Sequence, residues 1–164
     1  MDLARYSLEE VFQAAIMSET ESERIYLNVA SSVRNAFLKE KLSYLAAEEN
    51  KHRKLLEQEF KKHLPGRELT LPEKCPVPLP DPVIPDEGVP LSEVIDGAMT
   101  SERAAKDFYL SMKMLFDSND DIRIMLDYFA RMEEGHFHLL SVERENLAQF
   151  EEYDSYWEMM NIGP

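Results

Sequence analysis

The sequence predicts an all-α protein, one domain over residues 1–164 built as a four-helix bundle, with a long crossover between the second and third helices and a short C-terminal tail. Three observations carry that prediction. Apolar residues recur in steps of three and four over four separate stretches, a proline-rich interval divides the second stretch from the third, and the second half of the chain repeats the first. With 164 residues and 44% of them hydrophobic, the chain can bury one good core, and nothing in its composition asks for a second.

The first helix is expected over 7–30. Ser7 followed three residues later by Glu10 is a capping-box signature. Its inward stripe reads Leu8, Phe12, Ala15, Glu19, Ser22, Tyr26, Val29 and Val33, the seam of a bundle helix interrupted by one charge. Ser31-Ser32 predicts a turn, and the second helix follows over 35–62 with the stripe Leu38, Leu42, Leu45, Glu49, His52 and Leu56. Glu49 and His52 sit mid-helix with leucines on both sides, a poor place for an unpartnered charge.

Over 64–90, Pro65, Pro72, Pro76, Pro78, Pro80, Pro82, Pro85 and Pro90 exclude both helix interior and central strand. Proline-rich chain rises about 3.1 Å per residue, enough here to run the full length of a bundle. So long a connector suits a crossover between helices that run parallel. The third helix, over 92–116, has the stripe Leu91, Ile95, Ala98, Glu102, Ala105, Tyr109, Met112 and Phe116. Aligning Ala15-Ile16-Met17-Ser18-Glu19 with Ala98-Met99-Thr100-Ser101-Glu102 puts a tyrosine seven residues after each glutamate, at Tyr26 and Tyr109.

Asp117-Ser118-Asn119-Asp120 supplies turn and N-cap chemistry for a fourth helix over 119–150, with the stripe Ile122, Leu126, Phe129, Glu133, His136 and Leu140. It repeats the second helix down to the doubled glutamates, Glu48-Glu49 and Glu133-Glu134. The remaining tail, Tyr153 to Pro164, carries Tyr156, Trp157, Met159 and Met160 and is expected to dock on its own bundle or on a neighbouring subunit.

The formal net charge of −14 argues against nucleic acid and anionic membrane as partners, since both would be repelled. One cysteine, Cys75, allows neither an intramolecular disulfide nor a four-cysteine metal site, which fits a reducing cytoplasm. No signal-peptide pattern opens the chain and no apolar run reaches membrane-span length, so a soluble cytoplasmic protein is expected.

The charged residues on the four inward stripes are Glu19, Glu49, His52, Glu102, Glu133 and His136. Four buried carboxylates need raised pKa values or bound cations, and two divalent ions would balance them charge for charge. Two glutamate helices facing two Glu-x-x-His helices is the inventory of a paired metal site in a bundle. Oxygen-rich donors with imidazole favour iron; manganese, and zinc in protein as purified, stay open as occupants. Glu49 and Glu133 are expected to bridge, Glu19 and Glu102 to be terminal, and each histidine to hold one ion. Tyr26 and Tyr109, two turns from the glutamates, are candidates to hydrogen-bond metal carboxylates, with an ordinary interior tyrosine as the competing reading. Glu21, Glu23, Glu48, Glu134 and the Glu143-Arg144-Glu145 run read as solvated faces, His63 and His138 as surface histidines, Met17, Met99, Met125 and Met132 as packing, and Cys75 as an inert exposed thiol.

Glu19-x6-Tyr26, Glu49-x-x-His52, Glu102-x6-Tyr109 and Glu133-x-x-His136, with the long connector between them, resemble the ferritin-like diiron proteins and most closely the rubrerythrin group. The resemblance implies a non-haem diiron centre reacting with hydrogen peroxide or dioxygen, as in the peroxide reduction of rubrerythrins or the iron oxidation of ferritins and bacterioferritins. Rubrerythrins normally carry a rubredoxin-like domain with four cysteines, so an external electron-donor protein is expected here. They also tend to carry a further glutamate one turn after the third-helix ligand, where this sequence has Ala105, and the symmetric Glu-x-x-His pair is closer to a bacterioferritin centre. A homodimer is expected, with or without exchange of helix pairs through the linker. The competing readings are a ferroxidase or iron-binding protein, and a bundle that keeps metal for stability alone.

Overall fold

In the first turn of the molecule the Ser7 side chain accepts from the Glu10 backbone N–H at 3.2 Å, and the Ser7 N–H donates to Glu10 Oε2 at 2.8 Å, closing both halves of the capping box. The structure is a computed structural model that describes residues 1–80, 89–116 and 118–160, with side chains through 147. Its helices are α1 (Leu8–Ser32), α2 (Ala36–His63), α3 (Leu91–Lys113) and α4 (Asp120–Met160), with no strand among the described residues.

The boundaries differ from the sequence expectation at three places. The turn expected at Ser31-Ser32 falls later: α1 runs through Ser32, and Asn35 caps α2 by accepting from the Phe37 and Leu38 N–H groups at 3.0 and 3.2 Å. An asparagine carbonyl presented to two orphan N–H groups outcompetes a serine pair that bonds back into its own helix, as Ser32 does to the Val29 carbonyl. α3 stops at Lys113, and the chain turns at Met114-Leu115 so that Phe116 re-enters the core against Phe12. α4 continues through Met160, so the stretch from Tyr153 that the sequence sets aside as a tail is helical backbone as far as Met160; docking of its side chains lies outside the described residues.

α1 packs along α2 and α3 along α4, while α1 meets α3 and α2 meets α4 more thinly. Two apolar clusters mark the two ends of the bundle. One joins Phe12 of α1, Phe60 of α2, Phe108 of α3 and Phe129 of α4; the other joins Val29, Leu42, Ile95 and Leu140 of the same four helices. The order of these residues along the chain makes α2 parallel to α3 and antiparallel to α4. α2 therefore ends at the cluster opposite the one where α3 begins, and the 64–90 connector has to cross the bundle's length.

Its residues up to 80 run over the α1–α3 side. Gly66, at φ 84°, makes the left-handed turn that leaves α2, a conformation that costs glycine nothing. Gln13 Nε2 then donates to the Thr70 carbonyl at 2.9 Å, and Val77 is fully buried in the Phe12 cluster. Val89 and Leu91 pack on the Leu42 cluster at the far end. Each large apolar side chain so buried contributes about 1.5–3 kcal/mol. The two clusters together can thus support a charged layer between them whose burial costs several kcal/mol per carboxylate.

Candidate metal centre

Between the two apolar clusters lies a polar layer made of Glu19 (α1), Glu49 and His52 (α2), Glu102 (α3), and Glu133 and His136 (α4), each no more than 3% exposed. Helical spacing explains it. Each Glu-x-x-His puts carboxylate and imidazole on one face, and because α2 and α4 run antiparallel, each histidine faces the other motif's glutamate. His52 Nδ1 lies 3.0 Å from Glu133 Oε1, and His136 Nδ1 lies 3.1 Å from Glu49 Oε1.

The remaining distances divide the four glutamates into two kinds. Glu49 presents its other oxygen to His52 at 3.5 Å, and Glu133 presents its other oxygen to His136 at 3.3 Å, so each reaches both imidazoles. Glu19 approaches His52 alone, at 3.6 Å, and Glu102 approaches His136 alone, at 3.5 Å. Two four-residue sets result, Glu19, Glu49, His52, Glu133 and Glu49, Glu102, Glu133, His136, each with ligand atoms within 4.8 Å of one another and with two glutamates in common. The imidazole rings lie 5.9 Å apart, centroid to centroid.

The donor set fits a pair of cations. Glu19 Oε2, Glu49 Oε1, Glu133 Oε1 and both nitrogens of each histidine are buried without a hydrogen-bond partner. Close approach without hydrogen-bond geometry is what side chains show when they aim at a common point rather than at each other. Left without cations, such orphaned atoms would each carry a desolvation cost of about 1–3 kcal/mol.

Electrostatics sort the same residues. Burial, reinforced by the Glu49 charge, holds the Glu19 carboxyl well above the usual range, and burial with the charges of Glu49 and Glu133 does the same to Glu102. Burial also works against charge on Glu49 and Glu133, yet the two histidines outweigh it and both are held low. For His52 the order is the same: burial lowers it, and the surrounding carboxylates push it up to about 12. His136 is raised likewise.

The tyrosines cross between the repeats. Tyr26 of α1 donates to Glu102 Oε1 of α3, and Tyr109 of α3 donates to Glu19 Oε1 of α1. Burial, and then the Glu102 charge, push the Tyr26 hydroxyl well above its ordinary value, so its proton stays on. Each hydroxyl thereby fixes one oxygen of a glutamate whose other oxygen faces a histidine.

Several residues read as surface features are structural instead. Glu48 and Glu143 are buried, not solvated, because Lys51 and Lys41 lie over them as ion-pair partners. His63 is not a free surface histidine: its ring stacks on Phe12 and meets Phe116 edge-on, with centroids 6.3 and 5.0 Å away. Sequence reasoning also missed the polar links that brace the motif. Asn50 Nδ2 donates to Glu23 Oε1 at 2.7 Å, and Arg53, bonded to Glu57 at 2.8 Å, lies 3.4 Å from Glu23, tying α2 to α1 beside Glu49 and His52. The signal was present: Glu23 stands one turn after Glu19, and Asn50 and Arg53 are each adjacent to a motif residue. His138 and Cys75 are exposed, as expected.

The family model for Rubrerythrin matches residues 10–143, a span that contains all six residues of the layer and both tyrosines. The solved structure of a hypothetical protein from Pyrococcus furiosus is 31% identical and superposes with a TM-score of 0.78, covering 90% of this chain and 94% of that one. No curated protein matches the chain.

Proposed function

Because the chain belongs to the rubrerythrin family, whose members bind a diiron centre, we propose that its buried layer holds two iron ions and reduces hydrogen peroxide, or dioxygen, with electrons from another protein. The observation that carries this reading is the sharing of Glu49 and Glu133 between the two donor sets. In it, Glu49 and Glu133 hold both ions, Glu19 and His52 complete one set, and Glu102 and His136 complete the other. When bound there, iron would supply one electron from each ion to the oxidant's O–O bond.

The chain's own part is positional. Tyr26 and Tyr109 keep Glu102 and Glu19 oriented through their hydroxyl protons. The Phe129 ring lies 4.3 Å from His52 and, with Leu45 and Leu56 on α2, keeps water from the layer. One cysteine suits a reducing, cytoplasmic setting for such chemistry, and no described helix is long and apolar enough to cross a membrane.

A second reading, iron oxidation for sequestration, is favoured by the symmetry of the two donor sets and by Ala105 standing where rubrerythrins tend to have a glutamate. Stopped-flow reoxidation of the reduced, iron-loaded protein separates the two. It is expected to be faster with hydrogen peroxide than with dioxygen. Equal or slower reaction with peroxide, with uptake of many more irons than the two the layer can seat, sinks the peroxidase reading in favour of the second.

A further inference from the structure

On the side where α1 and α3 meet thinly, the crossover roofs a cavity of about 610 Å³. Its floor belongs to the helix segments that carry the two tyrosine-bonded glutamates. Ser18 and Ser22 bracket Glu19 along α1, and Ser101 and Ala105 bracket Glu102 along α3. The walls and roof are mostly apolar, Met17 and Ala104 from the helices and Leu71, Pro72, Leu79 and Pro80 from the crossover, while the Thr20 hydroxyl donates to the Ile16 carbonyl at 2.7 Å.

Hydrogen peroxide would fill only a small part of this cavity. A water's share of liquid is about 30 Å³, and hydrogen peroxide is only two oxygens across. A volume of about 610 Å³ lies within the range of about 300–1,000 Å³ typical of sites for organic molecules. Charge narrows the class. The floor residues are serine and alanine, and the one charged group at the rim, Glu21, is engaged by Arg24, whose Nε donates to it at 3.1 Å. An organic anion would also meet a protein of net charge −14. The Cys75 thiol in the wall is pushed up by the part of its surface that is covered, so it stays neutral and adds soft apolar surface.

Resting on the peroxide reading above, we infer that the cavity seats the carbon skeleton of an uncharged organic hydroperoxide, its –OOH end at the Ser22 and Ala105 floor toward Glu19 and Glu102. The step balances as two electrons and two protons taken up by ROOH. The O–O bond breaks, giving the alcohol ROH and water; iron held by the layer would supply the two electrons, which the donor protein would replace.

Cumene hydroperoxide and hydrogen peroxide, each mixed with reduced iron-loaded protein, give the rate ratio that tests this. The ratio is expected to fall at least about tenfold in Ala105→Leu, since a few methylenes in an apolar pocket discriminate by about 10–200-fold. Zinc-loaded protein, which turns nothing over, provides the second readout. Titration with 2-phenyl-2-propanol, the alcohol product, is expected to shift the NMR methyl signals of Ala104, Leu71 and Leu79 in the parent and not in Ala105→Leu. Consumption of hydrogen peroxide but not cumene hydroperoxide, an unchanged ratio in the variant, or no shifts in the zinc protein overturns the cavity assignment and leaves the peroxidase reading standing. Inertness toward both peroxides instead removes that reading itself.

Discussion

Glu133→Ala is expected to leave the protein unable to hold either of the two metal ions proposed for the layer, whereas Glu19→Ala keeps one. The difference follows from reach. Glu133 offers one oxygen beside His52, at 3.0 Å, and the other beside His136, at 3.3 Å, so its removal takes a donor from both sets at once. Glu19 stands beside His52 only, at 3.6 Å, and the set formed by Glu49, Glu102, Glu133 and His136 does not include it. Loss of a residue that merely supports a ligand costs about 10–100-fold in metal affinity. Loss of a ligand itself is expected to cost each affected ion at least about a hundredfold on that scale. Metal content after equilibration at limiting iron reads the outcome, with circular dichroism confirming that each variant is helical. Two ions retained by Glu133→Ala would remove it from the shared position.

Metal loading is also expected to release at least two protons near neutral pH, because ligands must give up their protons to bind. His52, pushed up to about 12, and His136, raised likewise, carry one each in the metal-free site, and burial holds Glu19 and Glu102 high, which adds to the release wherever they are protonated. Glu49 and Glu133 are held low and stay ionised. In the metal-free layer two imidazolium ions thus stand against the carboxylates of Glu49 and Glu133. Two divalent ions take the place of these protons.

The sign follows from the release. Acid favours the protonated, metal-free site, so affinity falls as pH falls, and the logarithm of the overall two-metal constant is expected to rise by at least about two per pH unit around neutrality. Calorimetric titration in buffers of different ionisation enthalpy measures the count directly. A release near zero contradicts this electrostatic picture of the layer.

How much of this was legible before the fold was known depended on whether the signal was local. The six layer residues were readable because a buried stripe on a helix repeats every three or four positions, and a charge inside such a stripe stands out against Leu45 and Leu56 or Phe129 and Leu140. Crossover topology was readable from prolines that forbid any regular element. The rest depended on partners far away in the chain. Nothing near Tyr26 says that its hydroxyl serves Glu102 rather than Glu19, because that is set by how α1 and α3 face each other. Glu48 and Glu143 looked solvated because Lys51 and Lys41 cover them only in the folded bundle. His63 looked like an exposed helix end because the ring that stacks on it, Phe12, belongs to another helix. The turn at Ser31-Ser32 was misplaced for a different reason: two residues of similar cap propensity competed with Asn35, and the two N–H groups that Asn35 satisfies decided it.

The central claim, a pair of ions sharing Glu49 and Glu133, is tested most directly by anomalous diffraction from crystals of iron-loaded protein, with data on both sides of the iron absorption edge. The account predicts two iron peaks in the layer between the apolar clusters, one bounded by Glu19, Glu49, His52 and Glu133, the other by Glu49, Glu102, Glu133 and His136. A single peak in the layer, or iron found only on exposed acidic side chains, would contradict it.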